Sequence, residues 1–128
     1  MPAPTEVTGV DFVTVFVTDY DRAKDFYANT LGLDGFDYGK FPGGERETGS
    51  LTLQLMDAAS VGQEFQRSTH PIALHVEDVH AAREELEAKG VTFFGETFDT
   101  GVCHMAIFAD PDGNQLMLHH RYAPYPDA

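Results

Sequence analysis

Phe12-Val13-Thr14-Val15-Phe16-Val17-Thr18-Asp19 reads as a strand delivered onto a helix cap, and Ile72-Ala73-Leu74-His75-Val76-Glu77-Asp78 repeats that reading. In the first stretch valines alternate with Phe12, Thr14 and Phe16, the period of two expected of a strand with one buried face. Asp19 is a residue type that caps helices through its side-chain oxygen. Beyond it Tyr20, Ala23, Tyr27 and Leu31 form an apolar stripe at helical spacing, with Phe26 beside them, and Gly32 marks the stop. The second stretch behaves alike. Asp78 caps a helix carrying Val79, Ala82 and Leu86 that stops at Lys89-Gly90. Asp78 lies 59 positions after Asp19, and Pro71 lies 59 positions after Phe12. A recurring strand, cap, helix and glycine stop imply two modules, each unable to bury its sheet alone.

Further strands complete each module. Residues 51–56 alternate leucine with Thr52, Gln54 and Met56, and 36–41 forms a weaker strand before a turn at Pro42-Gly43-Gly44. In the second half 91–94, 102–108 and 115–119 read as strands. Asp110-Pro111-Asp112-Gly113-Asn114 is a tight turn before the last of them, since proline fixes one backbone angle and glycine supplies a positive one. The expected organisation is one domain over 1–128. Module 1 spans about 8–57, a linker 58–69, module 2 about 70–121 and a tail 122–128.

Composition narrows the partners. The chain has 128 residues and 42% hydrophobic content, enough for one core. Eight basic against 21 acidic residues give a formal charge of −13, which repels nucleic-acid phosphates and anionic membrane surfaces. No apolar run approaches a membrane span. Residues 1–8 lack the basic start and apolar run of a secretory leader. Cys103 is the single cysteine, so no intrachain disulfide forms, and a cytoplasmic location is expected.

Three stretches together resemble the vicinal-oxygen-chelate (glyoxalase/bleomycin-resistance/extradiol dioxygenase) superfamily. They are 13–19 leading to Phe26-Tyr27 and Leu31-Gly32-Leu33; 72–78; and Phe108-Ala109-Asp110-Pro111-Asp112-Gly113-Asn114. The resemblance covers about 8–121. It implies an α+β fold of two tandem β-α-β-β-β modules, whose mixed sheets curl into a cup with the helices on the outer face. Alternation then places Val13, Val15 and Val17 under the helix. It gives the cup Phe12, Thr14 and Phe16; Thr52, Gln54 and Met56; Pro71, Ala73 and His75; Gln115, Met117 and His119; and Cys103, Met105 and Ile107. The ligand-binding set expected from these is Phe12, Thr14, Phe16, Gln54, Met56, His75, Met105, Gln115, Met117 and His119.

Metal-dependent members of that superfamily carry ligands on the first and last strand of each module. The matching positions here are Phe12, Gln54, Pro71 and Met117. Phenylalanine and proline offer no ligand atom, and methionine is soft and neutral. No metal and no cofactor are therefore expected at that position. Shifting His70 into the site would flip the whole 72–75 strand. A histidine site of another kind, built from two or three of His75, His104 and His119, stays open. His119 and His120 are neighbours on one strand and point apart, and His80 falls on an exposed helix face. No carboxylate is evident beside the cup histidines. Cys103 is read as a buried inert thiol, Gly43-Gly44 lacks the lysine and helix of a phosphate loop, and Asp110 and Asp112 are turn residues, not calcium ligands.

Two functions follow from the resemblance. One is a homodimeric binding protein of sequestration or resistance type, holding a small apolar or aromatic molecule in a metal-free cup. The other is a lyase, isomerase or dioxygenase-like enzyme that uses His75 or His119 as acid/base.

Overall fold

Both valine- and leucine-rich stretches form strands with one face buried under a helix. In the computed structural model residues 4–126 are described, so parts of the leader and tail readings, at 1–3 and 127–128, lie outside the described residues. Module 1 runs β1 (Phe12–Val17), α1 (Tyr20–Lys24, continuing as a π-helical turn over Asp25–Thr30), β2 (Gly35–Asp37), β3 (Gly43–Glu47) and β4 (Thr52–Asp57). Module 2 runs β5 (Ile72–His75), α2 (Val79–Ala88), β6 (Phe93–Asp99), β7 (Cys103–Ala109) and β8 (Gln115–Arg121). The strand orders are β1-β4-β3-β2 and β5-β8-β7-β6, the same path walked twice. In each sheet the first and last strands pair in parallel and the others antiparallel. This is the α+β fold of two β-α-β-β-β modules with curled mixed sheets that the resemblance implied.

Capping aspartates start both helices. Asp19 accepts from the Arg22 amide at 3.2 Å and Asp78 from the Ala81 amide at 3.0 Å. After Lys24 the first helix widens: the Leu31 amide reaches back five residues to the Phe26 carbonyl at 2.9 Å. The wider turn accompanies burial of two successive aromatics, Phe26 and Tyr27, whose rings meet edge to face at 5.3 Å.

Alternation sorts the faces as expected. Val15, Val17, Leu53, Leu55, Ala106, Phe108, Leu116 and Leu118 are buried, none more than 6% exposed. Their neighbours Thr14, Phe16, Gln54, Met105, Met117 and His119 are only partly covered. Val13 departs from the pattern: it is exposed, because it stands at the module seam and not beneath α1.

Two strand expectations are corrected. Gly43 and Gly44 lie in β3, and the bend falls at 39–42. They are glycines because the sheet is crowded there. A Cβ on Gly44 would sit 2.2 Å from the Tyr20 hydroxyl oxygen, and one on Gly43 would sit 2.7 Å from the Leu55 carbonyl oxygen. The strand read over 91–94 instead spans Phe93–Asp99, through a bulge between Phe94 and Phe98. Gly95, at φ 73°, turns the backbone, and Arg83 of α2 ties the bulge by donating to the Gly95 carbonyl at 2.9 Å and to Thr97 at 3.1 Å.

Candidate functional site

The cup face of the first sheet carries a connected set of polar groups. Strand register pairs Thr14 with Gln54, and Gln54 with Glu45, so all three side chains share that face. The Thr14 hydroxyl donates to Gln54 Oε1 at 2.8 Å, and Gln54 Nε2 donates to the Tyr38 hydroxyl at 3.1 Å. Tyr38 in turn donates to Glu45 Oε2 at 2.6 Å. Partial burial and then the Glu45 carboxylate raise the Tyr38 phenol above its ordinary pKa, so it stays a neutral donor. Phe12, Phe16, Phe36 and Met56 surround this network on the same face. Thr14 and Gln54 were expected here. Tyr38 and Glu45 were missed, and the only sequence signal for Glu45 was its alternation within a strand mistaken for a turn.

The second cup face is more apolar. Register places Met105 opposite His119 and Phe98, and Ile107 opposite Met117 and Phe94. Phe94 and Phe98 were absent from the expected set, because the bulge hides their common face. They are 55% and 42% exposed, so a large apolar surface faces solvent. Cys103 is half-buried on this face, where full burial was expected. β8 extends to Arg121, which shares parity with Met117 and His119, so a guanidinium-bearing residue stands at the end of that face. The Arg121 guanidinium lies over the Tyr125 ring at 4.2 Å and donates to the Pro124 carbonyl, while its buried Nε has no partner among the described residues.

The two cup faces meet at a seam. A cavity of about 380 Å³ lies there, lined by Thr14 and Phe16 of β1, Pro71 and Ile72 of the second module, and Gln115 of β8. Its size suits a small molecule. Gln115 therefore faces the seam with Phe16, while His75 stands at the far end of β5. His75 is paired with His119 by register, yet its ring lies 5.7 Å from that of His120. A carboxylate does stand beside it: His75 Nε2 is 3.1 Å from Glu77 Oε1, correcting the expectation that none was near.

The Asp110–Asn114 turn does more than reverse the chain. Asp110 is buried and accepts the Asp112 and Asn114 amides, each at 2.9 Å, as a turn residue should. It also accepts the Tyr27 hydroxyl of the other module at 2.8 Å. Asn114 Nδ2 donates to the Phe16 carbonyl at 2.9 Å, and Arg22 reaches Asp112 at 2.6 Å. The turn thus clasps module 1 and holds the seam shut. Burial, and then the Asp110 charge, drive the Tyr27 phenol far above its ordinary pKa. The available signal was Tyr27 itself, a tyrosine on an apolar stripe whose hydroxyl needs a buried partner.

A sequence profile for the Glyoxalase/Bleomycin resistance protein/Dioxygenase superfamily matches residues 9–118. The chain belongs to this superfamily. Solved structures agree. TnmS3, an antibiotic binding protein from Streptomyces sp. CB03234, is 28% identical, with 90% of this chain and 97% of that chain covered and a TM-score of 0.75. A superfamily member from Sphaerobacter thermophilus DSM 20745 is 26% identical over 88% of this chain and 97% of its own, also at TM-score 0.75. A glyoxalase/bleomycin resistance protein from Streptomyces sp. CB03234 is 27% identical over 88% of this chain and 100% of its own, at TM-score 0.70. Among curated proteins none matches. No helix of the described residues is long and apolar enough to cross a membrane.

The superfamily's metal position can be tested against these side chains. Gln54 is paired across the strands with Thr14, and Met117 with Ala73; Phe12 and Pro71 stand two residues farther back. Neither set supplies a carboxylate or an imidazole. The Gln54 carbonyl oxygen already accepts the Thr14 hydroxyl. The donor set does not fit a divalent ion.

Proposed function

We propose that this protein binds a small, largely apolar or aromatic molecule in the cup, without a metal at the superfamily position, as a sequestration or resistance protein. The observation that carries the reading is the Gln54 side chain, locked into the Thr14–Gln54–Tyr38–Glu45 network where a metal ligand would have to be free. Around that network the walls are aromatic and thioether groups, which offer stacking faces and adapt to shape. Similarity to an antibiotic binding protein supports the same reading. The exposed Phe94 and Phe98 need a cover, and a homodimer that pairs cups across two chains supplies one. The acid excess makes that contact apolar. A cytoplasmic location fits the single thiol.

The test is calorimetry on the full chain with EDTA present. Acridine, planar and weakly basic, is one probe and phenylphosphonate, small and anionic, is the other. Acridine is expected to bind without metal, and Phe16→Ala to weaken it while the fold persists. Binding of phenylphosphonate alone, and only when a divalent metal replaces the chelator, overturns the reading in favour of a metalloenzyme. Sedimentation at micromolar concentration is expected to show a dimer, and a monomer rejects the assembly.

A further inference from the structure

All six histidines lie at or after His70, in the second half of the chain, and several gather at one corner. β5 ends at His75, and the chain continues through Val76, whose amide donates to the His119 carbonyl at 3.1 Å. Glu77 lies at the bend that follows, two residues from His75 and just before the Asp78 cap of α2. Their side chains meet at 3.1 Å. β8 lies parallel beside β5 and runs past its end to Arg121. That overhang brings His120 to the corner, its ring 5.7 Å from that of His75. One ligand atom from each of His75, Glu77 and His120 lies within 4.8 Å of the other two.

From this arrangement we infer that His75, Glu77 and His120 form a binding site for one divalent transition-metal ion of the zinc class. Two imidazoles and a carboxylate are a donor set such ions take, with the remaining position left to water. Tetrahedral ligands at zinc distances stand about 3.3 Å apart. The His75–Glu77 separation already has that value within a few tenths of an ångström, at 3.1 Å. Closing the rest requires rotation of His75 and Glu77, whose side chains are 66% and 88% exposed and free to turn. A second observation separates the cluster from an ordinary surface ion pair. His120 Nδ1 is buried and has no hydrogen-bond partner among the described residues, so one nitrogen of that imidazole is not committed to another group. The next histidine along, His104, is the cross-strand partner of His120, but its Nε2 is directed to Asp99 at 3.5 Å. The site lies away from Phe12, Gln54, Pro71 and Met117, so it stands or falls separately from the metal-free cup.

The experiment uses the full chain stripped with chelator and dialysed free of it, titrated with zinc at neutral pH, with native mass spectrometry for stoichiometry. One ion per chain at micromolar affinity or tighter is expected. Loss of a ligand should cost at least the roughly 10-fold typical of removing a mere supporting group around a metal. His75→Ala and Glu77→Gln sit at exposed positions and leave the fold intact by circular dichroism, so they carry the test even if His120→Asn misfolds. His70→Ala removes an exposed histidine outside the cluster and is expected to leave affinity unchanged. Cobalt in place of zinc is expected to give the visible absorption of a nitrogen- and oxygen-ligated ion, lost in the same variants. Millimolar binding, no binding, or affinity indifferent to both His75→Ala and Glu77→Gln overturns the site. Acridine binding in EDTA reports on the cup alone, so failure of either inference is distinguishable from failure of the other.

Discussion

Tyr27→Phe removes one oxygen from the centre of the clasp between modules. Tyr27 is wholly buried and its hydroxyl donates to the buried Asp110 carboxylate at 2.8 Å. Phenylalanine keeps the ring, its edge-to-face contact with Phe26 and the packed volume, so no cavity opens. What is lost is a hydrogen bond to a charged acceptor, worth about 1.5–3 kcal/mol when buried. Water cannot replace it in a site only 5% exposed. For a chain of this length about 4 °C of melting temperature accompanies each kcal/mol, so the variant should melt about 6–12 °C lower. Tyr20→Phe is the internal control. Tyr20 also donates to a carboxylate, Asp37 at 2.6 Å, but that side chain is 41% exposed and is held by Lys24 as well. Solvent takes up the vacancy, and the cost should be about 0.5–1 kcal/mol. Urea denaturation of both variants, with equal slopes, measures the two costs. If Tyr27→Phe costs no more than Tyr20→Phe, the clasp does not hold the modules together as argued.

Val15→Ala, at a position buried under α1, should cost about 1–3 kcal/mol through lost burial and a residual cavity, whereas Phe16→Ala should affect acridine affinity more than urea stability; an inverted order means the faces are misassigned. Gly44→Ala forces a methyl to 2.2 Å from the Tyr20 oxygen and should destabilise by about 1–3 kcal/mol or more, read from the urea midpoint. Asp37 is held below the ordinary carboxylate range, first by the hydrogen bond from Lys24 and then by that from Tyr20. A depressed folded pKa contributes stability above the unfolded value that disappears as pH falls through the folded one. Asp37→Asn should therefore be less stable than the parent at neutral pH and equal to it in acid, and a gap that persists in acid rejects the pairing. Gln54→Leu breaks the Thr14–Gln54–Tyr38 chain and should weaken acridine in the calorimeter while leaving a chelator-treated sample as metal-free as the parent.

Much of the fold was legible because it depends on local periodicity. Valine alternation in β1, leucine alternation in β4 and the two capping aspartates each report on their own few residues, and the 59-residue spacing joins them into modules. β3 and the second half of β6 were not legible, because glycines normally end strands. Here Gly43 and Gly44 admit Tyr20 and the Leu55 carbonyl, and Gly95 forms a bulge, all of them consequences of neighbours distant in sequence. The same division runs through the candidate site. Alternation alone put Phe12, Thr14, Phe16, Gln54, Met105, Met117 and His119 on cup-facing strand positions. It could not join Gln54 to Tyr38 and Glu45, turn the Asp110 loop onto Tyr27, or bring His120 beside His75 and Glu77. Side-chain parity is a property of one strand, carried by the backbone from residue to residue. Which groups from two strands or two modules meet depends on strand register, overhang and the closing of the seam, and these exist only once the chain has folded.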